Sequence, residues 1–183
     1  MSYLDTRVQY TKTKIKDCFI HILNKKPVDK ITVKEVCDMA KINRSTFYFH
    51  YANCFNLFEE IRQEAFEDFL LYVKEMKFGN IYDIFNKLLL NIKENYLYYS
   101  AIAARDNNFM AQMIDICFQQ TDDPDIFGFI KKSEINRKEY YYFVAYGCSG
   151  ILSYWVSNGM KEDISDVSKL LEKLVRHNML PIK

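Results

Sequence analysis

The chain has 183 residues, 49% of them hydrophobic and 16% aromatic, with 25 Lys and Arg against 24 Asp and Glu for a formal net charge of +1. No stretch approaches the roughly 18 uninterrupted apolar residues of a membrane span, and no apolar segment follows the N-terminal charges, so a globular protein of the cytoplasm is expected. Five scattered cysteines and three histidines form no CxxC pair or metal-ligand spacing, and no phosphate loop or nucleophile motif occurs, so no catalytic residue, metal or cofactor is expected.

The near-zero total hides a division along the chain. Residues 1–53 hold ten Lys and Arg against five acids, or +5, and residues 54–183 hold fifteen against nineteen, or −4. A basic head on a mildly acidic body suits a protein that neutralises nucleic-acid phosphates, because each neutralised phosphate releases counterions. An ordinary solvated face is the alternative at this point.

Five glycines and three prolines leave long uninterrupted stretches, and the apolar spacing predicts helix almost throughout. The first helix is expected over about 6–25, with Ile15, Cys18, Phe19, Ile22 and Leu23 as its apolar stripe and Pro27 beyond its end. Thr32 followed by Glu35 reads as a capping box opening a short helix over 33–40. After Lys41, Ile42 and Asn43, a second short helix is expected over 44–51, and two short helices joined by three residues form a helix-turn-helix candidate. Asn53 is a fitting N-cap for a long fourth helix over about 54–77. Further helices are expected over about 81–93, 96–104, 108–120, 137–157 and 165–177, with a loop at 121–129.

The aromatic run Phe47-Tyr48-Phe49-His50-Tyr51 divides when wound at about 100° per residue. Phe47 and Tyr51 fall on one side, with the first helices and the long helix as their expected core. Ser45, Thr46 and Phe49 fall on the other, flanked by Tyr48 and His50. A large apolar side chain on the outer face of a short basic helix has a use if something covers it, such as a thymine methyl in a major groove. A phenol and an imidazole beside it suit phosphate oxygens.

With these features in order, ITVKEVCDMAKINRSTFYFHYANCFNLFEEI at 31–61 resembles the DNA-binding region of TetR/AcrR-type transcriptional regulators, the likeness extending over about residues 6–62. GILSYWVSNGMKEDISDVSKLLEKL at 150–174 is similar to the end of the ligand-binding and dimerisation part in a branch of that family. The resemblance implies an all-α homodimer: a three-helix helix-turn-helix domain, residues 1–53, joined by a long helix to a helical effector-binding and dimerisation domain, residues 54–183. It implies double-stranded operator DNA as partner, read as a palindrome, and a repressor released by an effector. A TetR-like coactivator that binds a protein partner or ligand without binding DNA is the other reading.

Carried onto this sequence, the resemblance implies that Thr32 caps its helix and touches phosphate, and that Lys34 reaches base edges or phosphate. Arg44, Ser45, Thr46 and Phe49 would lie in the groove, and Tyr48 and His50 would hold the backbone. Walls for an effector cavity are sought among Phe69, Tyr72, Phe85, Leu89, Tyr96, Tyr99, Met110, Met113, Phe118 and Phe143. A dimer interface is sought among Gly147, Ile151, Tyr154, Trp155, Leu170, Leu171 and Leu174, where the small residues Ala145, Gly147, Ser149 and Gly150 suit a close helix crossing. Three positions depart from the family pattern. Lys41 stands for a turn glycine and is expected to be left-handed, Cys54 stands for a phosphate-binding lysine, and Pro27-Val28-Asp29 replaces a glycine after the first helix.

Overall fold

The structure, a computed structural model, describes residues 3–76, 79–119 and 137–178. Within them the chain is helical and contains no strand. The helices are α1 (Tyr3–Leu23), α2 (Val33–Ala40), α3 (Arg44–His50), α4 (Cys54–Glu75), α5 (Ile81–Glu94), α6 (Tyr96–Ala103), α7 (Phe109–Gln119), α8 (Arg137–Ser157) and α9 (Ile164–Asn178), with a 3₁₀ turn at Val28–Lys30. The loop expected at 121–129 and the segment 131–136 lie outside the described residues. Among those described, no helix is long and apolar enough to cross a membrane.

The chain forms two compact units, Met1–Phe66 and Glu67–Lys183, and α4 contributes to both. In the first, α1 packs on α2 and α2 on α3. Ile15, Phe19 and Leu23 of α1, Val36 and Ala40 of α2, Phe47 of α3 and Leu57 of α4 are fully buried. Each such side chain contributes roughly 1.5–3 kcal/mol of transfer free energy if large.

Local chemistry sets the ends of these helices. Glu35 N–H donates to Thr32 Oγ1 at 3.3 Å and Thr32 N–H donates to Glu35 Oε2 at 2.9 Å, closing the capping box at the start of α2. Lys41 ends α2 at φ 53°, ψ 50°, a left-handed conformation that a side chain adopts at a cost of about 1 kcal/mol. Its N–H and that of Ile42 both return to the Cys37 carbonyl. The chain is then turned to Asn43, whose carbonyl accepts from Thr46 and Phe47 at the start of α3. α3 stops at His50, one residue before the expected end, because Tyr51 turns extended at φ −137°, ψ 132°. Asn53 Oδ1 accepts from Asn56 N–H at 2.9 Å as the expected cap of α4.

In the second unit, α5 opens on Asn80, whose side chain accepts from Asp83 N–H. α5 packs chiefly on α9, and α7 on α8. Phe85, Leu89, Phe109, Met113, Leu152, Trp155, Leu171 and Val175 are buried in this core. Trp155 Nε1 donates to the Glu162 carbonyl at 3.0 Å, tying α8 to the turn that precedes α9.

Candidate nucleic-acid interface

The surface of the first unit presents α3 almost bare. Arg44, Ser45, Tyr48 and Phe49 are exposed, and Thr46 and His50 are partly so. Phe49 is the extreme case at 78% exposed, its ring edge-on to the His50 imidazole 5.0 Å away. Lys34 on α2 and Lys41 in the turn are exposed as well. The residues expected to reach DNA are therefore all accessible, and the same helix buries Phe47 completely.

Two of these side chains have commitments that the sequence alone did not reveal. The Thr32 hydroxyl donates to Glu35 Oε2 at 2.8 Å, so a phosphate contact from that hydroxyl requires displacing Glu35. Glu35 is also paired with Lys26 at 2.5 Å, and this bond first, then those from Thr32, hold its carboxyl down at about 2. Burial and the neighbouring Lys12 charge lower the His50 pKa, so in the free protein the imidazole favours its neutral form.

Cys54, standing where a lysine was expected, is 5% exposed. Burial, with Cys37 nearby, pushes its thiol up to about 11, so it offers neither charge nor reach to a phosphate. Next to it Phe55, one of the apolar residues of the long helix, is 54% exposed.

Beneath α3 lies a polar cluster that the sequence reading also missed. Glu60 Oε1 of α4 receives Lys12 Nζ at 2.8 Å, Lys16 Nζ at 2.8 Å and the Tyr51 hydroxyl at 3.0 Å. Lys16 also donates to Glu64 Oε2 at 2.6 Å. Lys16 is only 6% exposed and Tyr51 1%. Burial works against the Lys16 charge, yet the bonds to Glu60 and Glu64 prevail and raise its pKa. Burial likewise favours the neutral Glu60 carboxyl, but the three donors prevail and hold it at about 2.

Within the second unit the expected cavity and interface residues separate by burial. Phe69, Phe85, Leu89, Tyr99, Met110, Met113 and Phe118 are buried and Tyr72 is half-buried. Tyr96 and Phe143, sought among cavity walls, are instead 39% and 66% exposed, because each occupies the outward side of its helix. Trp155 and Leu171, sought at a dimer interface, belong to the subunit's own core. Gly147, Tyr154, Leu170 and Leu174 are exposed and Ile151 partly so. Of these four small residues on α8, Ala145 and Ser149 are buried, whereas a Cβ added at Gly147 or Gly150 meets nothing within 4 Å among the described residues.

A capped helix, a three-residue turn and a short exposed helix, backed by a buried apolar seam and followed by an all-helical body, define a helix-turn-helix protein. Residues 79–177, more than half of the chain, match the TetR family model described as "Transcriptional regulator C-terminal region". The chain belongs to the TetR family of DNA-binding transcriptional regulators. No curated protein matches its sequence.

Solved structures share the fold. A TetR transcriptional regulator from Streptococcus agalactiae 2603V aligns with a TM-score of 0.70 at 22% identity, over 93% of this chain and 96% of that one. The fatty acid degradation regulator FadR from Bacillus halodurans aligns with a TM-score of 0.71 at 11% identity, over 94% and 96%. The dihydroxyacetone kinase operon activator DhaS aligns with a TM-score of 0.60 at 20% identity, over 92% and 96%. At these identities the likeness concerns the fold.

Proposed function

We propose that the protein is a homodimeric repressor that holds a palindromic operator through α3 of each subunit and is released by a small-molecule effector bound in the second unit. In this reading Arg44, Ser45, Thr46 and Phe49 meet the major groove, Tyr48 and His50 contact phosphates, and Thr32 and Lys34 approach from α2. The observation that carries it is Phe49, 78% exposed on a helix whose other phenylalanine is fully buried. Such a side chain gains little in water and is suited to a thymine methyl. The first unit's excess of basic residues supplies the sequence-independent part of the affinity.

Dimerisation is supported by α8 and α9. Glycine inside a helix costs about 1 kcal/mol relative to alanine, and among the described residues nothing lies within 4 Å of a Cβ added at Gly147 or Gly150 to require it. Tyr142, Phe143, Tyr146 and Tyr154 are exposed on the same helix, and Leu170 and Leu174 on α9. A second copy laid against α8 and α9 would cover these groups and use the room at the glycines. The effector reading is supported by the aromatic interior, where Phe69 stacks with Tyr72 and Tyr99 meets Phe109 edge to face. An occupant preferring one arrangement of the dimer would change its DNA affinity.

The buried Cys54 favours a second reading, a coactivator that keeps the fold without binding DNA, because one phosphate anchor is missing. Fluorescence anisotropy with the duplex upstream of the protein's own coding region, beside a scrambled duplex, separates the two. The repressor reading expects specific binding that falls steeply with salt, and a loss of about tenfold or more in folded Tyr48→Ala and Phe49→Ala dimers. Equal affinity for both duplexes would support the coactivator.

A further inference from the structure

Three donors from two different elements meet on one oxygen of a third, since Lys12 and Lys16 of α1 and the Tyr51 hydroxyl all reach Glu60 Oε1 on α4. Tyr51 is the residue that ends α3, and its ring lies 5.7 Å from that of Phe47 in the helix itself. The Lys12 ammonium stands 5.7 Å from the centre of the Tyr51 ring, so the same phenol is held at its hydroxyl and over its face. Two lysines and two glutamates balance in charge, and the lysine at the centre is almost wholly buried. A partly buried ion network of this kind contributes modest net stability, because desolvation of Lys16 offsets much of the attraction. What it does fix is geometry, since the converging bonds are satisfied together in one arrangement of the three elements.

We propose that Lys12, Lys16, Tyr51 and Glu60 form a clamp that sets the angle of α3 on α4, making Glu60 and Lys16 positioning residues for reading DNA sequence although neither reaches the DNA. The inference rests on the DNA-binding reading given above. An apolar core alone leaves a seven-residue helix free to rock on Phe47, and a rocking helix still neutralises phosphates but meets base edges badly. The clamp therefore acts on specific binding and leaves non-specific binding alone.

The test uses the full chain and two duplexes of equal length, one selected by the wild-type protein from a randomised library and one scrambled. Removing Glu60 alone takes one of two partners from the buried Lys16 charge, so the informative variant is Lys16→Met with Glu60→Leu, which replaces the pair by apolar groups of similar size. Tyr51→Phe deletes the hydroxyl alone. Helicity and thermal unfolding confirm that each variant is folded. The clamp predicts that specific affinity falls about tenfold or more, the scale of a lost base contact, while scrambled-duplex affinity stays within about twofold. Glu60→Gln, which keeps an acceptor for Tyr51, should recover part of the loss. Unchanged specific affinity in a folded double variant overturns the clamp and leaves the DNA reading standing. A parallel fall on both duplexes also overturns it, showing a general loosening of the unit. Failure of the wild type to select any duplex overturns the DNA reading, and the clamp with it.

Discussion

Phe47 and Phe49 stand two residues apart on α3 at opposite ends of burial, 0% and 78% exposed. Stability and DNA affinity should therefore separate cleanly between them. Phe47→Ala leaves a cavity in the core of the first unit and should cost about 3–5 kcal/mol. Phe49→Ala should change stability by no more than ~0.5 kcal/mol, as at an exposed site, while weakening specific DNA binding. Denaturant unfolding followed by anisotropy on the same samples checks both, and a large stability loss in Phe49→Ala would contradict the assignment.

Lys41 ends α2 with positive φ. Lys41→Gly removes the strain of a side chain in the left-handed region and should raise stability by up to about 1 kcal/mol, less the extra entropy glycine brings to the unfolded chain. Lys41→Val, whose branched side chain fits that region worst, should lower it. Thermal midpoints in opposite directions are the expected result. Equal midpoints would mean that the turn relaxes at no cost.

Glu60 gives the first unit a signature in acid. Its carboxyl is held at about 2 in the folded state against an ordinary value of 4.5, so the folded state favours the ionised form. The stabilisation is complete above the unfolded value, and is lost as pH falls through the window from about 4.5 to about 2. Unfolding midpoints measured across that range should fall more steeply for the wild type than for Glu60→Gln, which has no proton to take up. Parallel slopes would remove Glu60 from the account.

Gly147 and Gly150 test the dimer. Because no described residue crowds either position, Gly147→Leu should fold normally and even gain helix propensity. Bulk at the proposed contact should instead drive the protein toward monomer in sedimentation velocity at micromolar concentration. A folded Gly147→Leu protein that remains dimeric would move the interface elsewhere. Tyr154→Glu, placing a charge on the same exposed stripe, should give the same outcome by desolvation.

Much of the fold was legible because helices announce themselves locally. The Thr32–Glu35 box, the Asn53 cap and the 3.6-residue apolar spacing of α1 and α5 depend on neighbours within a turn or two, so a linear reading recovers them. The division of α3 into Phe47 inside and Phe49 outside followed from spacing in the same way. Less legible was the fate of side chains with two defensible positions. Trp155 and Tyr154 are adjacent and both aromatic, yet one is core and the other surface.

The sequence by itself determined the all-helical architecture, the order and caps of the helices, the basic first unit and the outward face of α3, because each is set by periodicity or by charge counted along the chain. Only the tertiary structure decided that Cys54 turns inward, that Thr32 spends its hydroxyl on Glu35, and that Lys16 is buried. The physical reason is that these outcomes depend on partners remote in sequence. Lys16 remains charged in a buried place because Glu64, 48 residues later, is carried to it by α4 together with Glu60, and spacing along α1 contains no trace of that meeting.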